Sequence, residues 1–185
     1  MESTSIHINN AADFRREALA WANQFPIFAF YDSNGYEERL QHYDWILAVD
    51  SLKTLALNNA MGAFDLLEDF KHRHENSWLF GFLSYDLKND VEDLSSQHPN
   101  RLQSPELLFF EPRFLFRMSG NKLTINRSFL EATALVNIIN AYELPKEPFS
   151  KKIELFSNMN KEAYLERVRH LSLIHISEPT RPSQI

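Results

Sequence analysis

The chain has 185 residues, of which 44% are hydrophobic and 13% aromatic. This length fits one sizeable domain, and the apolar content excludes an intrinsically disordered chain. Nineteen Lys and Arg against 25 Asp and Glu give a net charge of -6, with no basic block, which argues against nucleic acid or an anionic membrane as a partner. The absence of Cys excludes disulfides, thiolate metal sites and a Cys nucleophile.

Neither a secretory signal nor a membrane span is expected. The first ten residues are polar, with no Lys or Arg ahead of an apolar run. No stretch approaches the roughly 18 uninterrupted apolar residues of a membrane span. We therefore expect a soluble, cytoplasmic protein.

The first third of the chain predicts a helix followed by strands. Asn10 is the expected N-cap of a helix whose apolar residues recur at spacings of three and four, and Pro26 is expected to end it. Residues 27–31 form a short apolar run of strand type that leads into the polar turn of residues 32–35. Residues 45–49 predict a buried strand and residues 54–57 a shorter partner beside it.

The middle of the chain predicts a helix and a central strand. Met61, Phe64, Leu67 and Phe70 form a helical stripe that is expected to cover one face of a sheet. Residues 78–86 are apolar without alternation, which is typical of a strand buried on both faces. Gly81 within that run indicates a close backbone approach.

The remaining elements complete an α+β fold. Residues 94–105 are expected to form an exposed loop, and residues 107–118 and 123–126 a hairpin through residues 119–122. A helix near residues 130–139, a linker at 143–148 and a last helix from Asn160 follow. We predict a mostly antiparallel sheet flanked by helices.

Two stretches carry a family resemblance. Residues 80–86 (FGFLSYD) and 157–164 (SNMNKEAY) resemble the N-terminal part of the chorismate-utilising enzymes, specifically component I of aminodeoxychorismate (para-aminobenzoate) synthase and of anthranilate synthase. Residues 43–48 (YDWILA) and 104–106 (SPE) are similar to the family's and occur in its order. The resemblance covers roughly residues 10–170.

This resemblance implies a division of the chain into parts. It also implies a function for the parent, the full-length protein of which this chain would be a fragment. Residues 1–156 would be the N-terminal domain, and residues 157–170 the start of a truncated chorismate-binding core. The parent would use ammonia, delivered by a glutamine amidotransferase subunit, to aminate chorismate in a Mg²⁺-dependent reaction that feeds para-aminobenzoate and folate synthesis. Because the family's catalytic groups lie downstream, the resemblance implies no catalytic or metal-binding residue here and no cofactor bound by the fragment.

The resemblance also implies part of an aromatic amino acid pocket, with Ser33 and Tyr43 as the candidate binding residues and tryptophan as the candidate ligand. Without it, both would be interpreted as turn and packing residues. Feedback-sensitive anthranilate synthases carry Leu-Leu-Glu-Ser where this chain has residues 30–33 (FYDS). The departures argue against regulation by tryptophan and favour the aminodeoxychorismate branch, with anthranilate synthase as the alternative.

The last residues are similar to something other than a protein family. Residues 171–181 (LSLIHISEPTR) resemble, in frame, the translation of a transposon-end adaptor used in sequencing libraries. We therefore expect residues 171–185 to be a non-native tail, poorly ordered, after a native sequence that ends near His170.

Other chemistry-bearing residues have plainer interpretations. His72 and His74 are expected at a solvated helix end, pointing in different directions, rather than in a metal site. Asp86, Asp90 and Glu92 are expected to stabilise a helix N-terminus and form a solvated face. Trp21, Trp45 and Trp78 are assigned to the core.

Two interpretations of a different class stay open. One is a stand-alone regulatory domain that binds an aromatic amino acid, and the other is a structural domain with no ligand. Fold analogy cannot decide between them, because function lies in the site.

Overall fold

The computed structural model describes residues 3–36, 42–92, 103–126, 131–143 and 156–176. The chain divides into two compact units, Met1–Pro145 and Lys146–Ile185. Within the described residues, no helix has the length and apolar character needed to cross a membrane. The strands of the first unit are β1 (Ser3–His7), β2 (Phe28–Asp32), β3 (Trp45–Leu57), β4 (Phe80–Leu83), β5 (Leu107–Ser119) and β6 (Lys122–Asn126). Its helices are α1 (Ala11–Ala22), α2 (Ala63–Arg73), α3 (Lys88–Val91), which continues a 3-10 turn at Tyr85–Leu87, and α4 (Ala132–Asn140).

The described strands form one six-stranded sheet in the order β1-β6-β5-β3-β2, with β4 also paired to β5. Every pairing is antiparallel, which confirms the predicted α+β class with a mostly antiparallel sheet. β6 pairs with residues 115–119 of β5, and β4 pairs with residues 107–110. The long strand β5 is therefore the centre of the sheet.

One long strand occurs where the sequence predicted two shorter ones. Residues 45–49 and 54–57 are not two strands but one, because β3 continues through an irregularity between Ser51 and Lys53 and follows β5 along its whole length. Asp50, just before it, has a φ of 57°. A bulge lets a long strand bend without ending, which is why the two apolar runs belong to one strand.

The predicted central strand lies at an edge. β4 has only four residues and, among the described strands, pairs with β5 alone. Phe80 is buried, whereas Phe82 and Leu83 are exposed. The apolar run thus reflects packing at one end rather than burial on both faces. The close approach predicted at Gly81 is confirmed, since a Cβ there would lie 1.9 Å from the Leu108 carbonyl oxygen.

The first face of the sheet holds the main core. α1 begins after Asn10, whose side chain accepts a hydrogen bond from the Asp13 backbone N–H, as predicted. It ends at Ala22, before Pro26 is reached. α1 and α4 bury their apolar sides against β3, β5 and β6, and the core includes Phe14, Ala18, Trp21, Trp45, Leu47, Phe116, Leu123, Leu135 and Ile139.

The opposite face carries a smaller cluster. Its buried members are Ala48, Phe80, Phe110 and Leu115, with Ile27, Ala29 and Ile46 packed beside them. No residue of a described helix belongs to this cluster. We call this side the open face. A third cluster, around Ala63, Leu87 and Leu107, anchors α2 and the 3-10 turn at the far end of β5.

Some of the remaining structural predictions are confirmed and others are not. The hairpin of β5 and β6 is confirmed, with a turn at Gly120 and Asn121. The stripe from Met61 is only partly confirmed, because Met61 lies outside α2 and is exposed. β1 was not predicted, since its five residues are mostly polar and exposed. Most of the predicted loop at 94–105 and the linker at 143–148 lie outside the described residues.

The second unit is described over residues 156–176 and contains α5 (Lys161–Ile176). Asn160 caps it as predicted, because its side-chain oxygen accepts a 2.8 Å hydrogen bond from the Ala163 backbone N–H. The expectation of a poorly ordered tail is wrong for residues 171–176, which continue α5. Leu, Ile, Ser and His all permit a helix, and the first Pro comes only at position 179.

Candidate functional site

The candidate site lies at the end of the sheet where β2 ends and β3 begins. The Ser33 backbone N–H donates a 2.9 Å hydrogen bond to the Asp44 carbonyl, continuing the ladder beyond β2. Asn34 and Gly35, with φ of 53° and 71°, form a tight turn closed by a bond from the Tyr36 N–H to the Ser33 carbonyl. Positive φ at both central residues is what an Asn-Gly pair permits. The structure therefore brings Ser33 next to Asp44, the neighbour of Tyr43.

Tyr43 reaches a cation on the central strand. Its hydroxyl oxygen accepts a 2.7 Å hydrogen bond from Arg117 Nη1, and the guanidinium carbon lies 5.2 Å from the centre of its ring. Arg117 Nη2 donates a second bond of 2.7 Å to Asn126 Oδ1 on β6. Arg117 pairs in register with Ile46 on β3 and Thr124 on β6, so it projects from the middle of the open face.

A row of aromatic rings continues from the arginine. The Arg117 guanidinium lies 5.3 Å from the Trp78 ring centre, Trp78 is nearly parallel to Phe80 at 6.1 Å, and Phe80 lies 5.9 Å from Tyr31. We call Tyr31, Phe80, Trp78, Arg117 and Tyr43 the aromatic row. Trp78 and Tyr31 are 38% and 49% exposed, so assigning Trp78 to the core was wrong. Trp78 therefore offers partly exposed aromatic surface beside a cation, whereas Phe80, next in the row, is buried.

Within the described part of the chain, the charge of Arg117 has no carboxylate partner. Among the described residues, no Asp or Glu oxygen lies within ion-pair distance of it, and its Nε is buried without an acceptor. Arg113, four positions earlier on the same side of β5, is paired instead, with Nε 2.8 Å from Asp50 Oδ2. The cation is therefore surrounded by the ring and hydroxyl of Tyr43, the ring of Trp78 and the amide of Asn126, and it can still bind an anion.

The predicted site residues Ser33 and Tyr43 thus lie at one end of the sheet. Ser33 is partly exposed and, by strand alternation, shares the side of Tyr31. Tyr43 takes part in the aromatic row. Sequence reasoning missed Arg117 and Trp78. The available signal was a pair of arginines four apart, on one side of an otherwise apolar strand.

A buried polar cluster lies elsewhere, around Glu111. Ser77 Oγ donates a 2.7 Å hydrogen bond to Glu111 Oε1, and His74 Nε2 lies 3.8 Å from Glu111 Oε2. The other His74 nitrogen contacts the Phe70 carbonyl at 2.7 Å, and its ring packs on the Phe70 ring. A nucleophilic serine would need the histidine as its base, whereas here both residues approach the carboxylate. The cluster joins α2 to β5.

The histidine and carboxylate predictions are resolved by this geometry. His72 is exposed and His74 is mostly buried, so the expectation of a solvated end holds for His72 and is wrong for His74. Asp90 accepts hydrogen bonds from the Gly62 and Phe64 backbone N–H groups at 2.6 and 3.1 Å and stabilises the α2 N-terminus, as predicted for the acidic run. Within the described ranges, no group of three potential metal ligands occurs.

A shallow depression of about 400 Å³ lies beside the α1 N-terminus, lined by His7, Phe14, Glu17 and Asn140 among others. Its other polar residues serve the helix end. Asn10 caps α1, and Asp13 pairs with Arg16. These two polar side chains therefore stabilise the start of α1.

Comparison with known proteins adds no family assignment. No family model matches the chain, and no curated protein matches it. The sequence resemblance and the geometry of the aromatic row are therefore what indicate a function for this chain.

Proposed function

We propose that the chain is the N-terminal domain of component I of an aminodeoxychorismate synthase. This proposal is supported by the ordered motifs at 43–48, 80–86, 104–106 and 157–164. The α+β fold with its mostly antiparallel sheet also supports it. The observation that carries it is the placement of Ser33 and Tyr43 at one sheet end, beside a cation and exposed aromatic rings. An aromatic amino acid pocket, which the resemblance implies, needs such surroundings.

The position of Asp32 supports the aminodeoxychorismate branch over anthranilate synthase. Its Oδ2 lies 2.7 Å from Arg15 Nη1 on α1, and its Oδ1 accepts a hydrogen bond from the Asn34 N–H. Both oxygens therefore have structural partners on the side of the sheet that faces α1. A residue engaged in this way is poorly placed to take the role of the glutamate in the feedback-sensitive motif.

In the proposed parent, ammonia from the amidotransferase subunit replaces the hydroxyl group at C4 of chorismate, and Mg²⁺ supports the reaction. No residue of this chain is assigned to that chemistry. The domain would supply the regulatory or stabilising pocket, and the chain alone is expected to be inactive towards chorismate.

The test begins at the gene. The source DNA is sequenced from the codon for Trp78 past that for His170, and the encoded protein is expressed with an amidotransferase subunit and supplied with chorismate, glutamine and Mg²⁺. Formation of 4-amino-4-deoxychorismate supports the proposal. Anthranilate with pyruvate would transfer it to the anthranilate branch, and no chorismate consumption, or a stop codon directly after Ile185, would refute it.

The second candidate is a stand-alone module that binds an aromatic amino acid. The aromatic row favours this candidate, because every residue of the row is supplied by this chain and none by a second domain. Isothermal titration calorimetry of the purified chain with L-tryptophan tests it. Saturable binding at one site supports the module, and the absence of binding heat up to millimolar ligand removes its main support.

A further inference from the structure

We propose that Arg117 binds the carboxylate of a small aromatic acid whose ring packs on the exposed rings of the aromatic row. This inference rests on the proposed aromatic amino acid pocket and identifies its anchoring group, which sequence reasoning did not find. Ser33 and Tyr43 then lie at the edge of the site rather than at its centre.

The first step is the availability of the cation. A guanidinium has five N–H groups, and the described structure uses two for Tyr43 and Asn126. The remaining donors have no carboxylate within reach among the described residues. Arg113 differs, because Asp50 already neutralises it. A partly buried arginine between two rings, held in place by neutral acceptors, is preorganised to accept an anion in the plane of its fork.

The second step concerns the shape of the ligand. The planes of Trp78 and Phe80 differ by 14°, and Tyr31 follows next in the row. Phe80 is buried, whereas Trp78 and Tyr31 on either side of it offer partly exposed apolar surface that a flat ring can cover, and offset stacking adds to its burial. A carboxylate on the guanidinium and a ring on Trp78 can be satisfied by one small molecule, because the two groups adjoin each other at 5.3 Å.

The third step concerns the charge of the ligand. Arg117 is the single cation within the aromatic row, and the whole chain carries a net charge of -6. Binding a polyphosphate or nucleic acid would need several cations. One carboxylate matches one guanidinium, which selects a monoanionic or zwitterionic aromatic acid.

The experiment compares two ligands on three proteins. L-Tryptophan and L-tryptophanamide, which lacks the carboxylate charge, are titrated by calorimetry into the unaltered chain and into the Arg117→Gln and Arg113→Gln variants. We expect the unaltered chain to bind the amide about ten- to a hundredfold more weakly than the acid, because charged hydrogen bonds are lost. Arg117→Gln should bind the acid as weakly as the amide, and Arg113→Gln should behave as the unaltered chain does.

The comparison of acid with amide on the unaltered chain does not depend on any variant folding. Near-ultraviolet circular dichroism checks each variant, and Arg117→Lys should recover part of the preference for the acid. Equal affinity for acid and amide on the unaltered chain would overturn the assignment of Arg117 and leave the proposed pocket standing. Equal loss of both ligands in a folded Arg117→Gln protein would also overturn it. Failure of the unaltered chain to bind either ligand would overturn the inference together with the pocket.

Discussion

Gly81 offers the sharpest test of the sheet arrangement, because the backbone of β4 leaves no room for a side chain there. A Cβ at this position would lie 1.9 Å from the Leu108 carbonyl oxygen and 2.7 Å from the Phe109 Cα. Ordinary contact begins at 3.4 Å, so Gly81→Ala must move β4 away from β5 by about 1.5 Å. A displacement of that size exceeds the tolerance of backbone hydrogen bonds.

The expected loss in the free energy of unfolding follows from the contacts that β4 makes. Within the described sheet, its ladder runs to β5 alone. Phe80, which is buried between Trp78, Tyr31 and Phe110, moves with β4. Because the clash is with backbone rather than a flexible side chain, we expect Gly81→Ala to lower the free energy of unfolding by about 3 kcal/mol or more. In urea, this corresponds to a fall in the midpoint of about 1 to 2 M.

The assay is urea unfolding followed by circular dichroism, with hydrogen exchange of the β4 amides to detect local detachment. Gly35→Asn is the control, because nothing lies within 4 Å of Gly35 and Asn tolerates its φ of 71°; its effect should stay below about 1 kcal/mol. An unchanged midpoint together with unchanged protection of β4 in Gly81→Ala would show that the β4–β5 approach is not as described.

Two further substitutions test the helix cap and the core. Asp90→Ala should remove both hydrogen bonds to the α2 N-terminus and lower the free energy of unfolding by about 1 to 2 kcal/mol, whereas Asp86→Ala should change it little; equal effects in thermal melting would contradict the cap. Phe116→Ala should leave a cavity under α1 and cost about 3 to 5 kcal/mol, whereas Phe82→Ala, at an exposed position, should cost less than about 1 kcal/mol. Chemical denaturation measures both, and a Phe116 effect as small as that of Phe82 would contradict the assigned core.

The elements that the sequence predicted well depend on local signals. Asn10 and Asn160 cap helices because a short side-chain oxygen satisfies a free N–H in the first turn, and neither needs a distant partner. The β5–β6 hairpin follows from a Gly-containing turn between two apolar runs. Gly81 was informative for the same reason, since its missing side chain points to a nearby backbone wherever that backbone comes from.

The elements that the sequence predicted badly depend on distant partners. Nothing in residues 45–57 shows that the strand resumes after Asp50, because the partner that carries it past the bulge is β5, some sixty residues away. Similarly, the apolar run around β4 does not show how many neighbours the strand will have. The polar residues of β1 join the sheet only because β6 offers a free edge. In each case long-range pairing overrides local pattern.

The residues of the candidate site also differ in whether local sequence or distant partners give them their place. This difference explains why Arg117, the proposed anchoring group, was missed. Ser33 and Tyr43 lie ten positions apart in the sequence, so a resemblance over neighbouring residues could find them. Arg117 acquires its role only when Trp78 and Tyr43 approach it from other parts of the chain. An arginine in an apolar strand otherwise suggests only an ion pair, which is what Arg113 makes with Asp50. The difference between these two arginines lies in their neighbours, and the binding comparison of their two variants tests that difference directly.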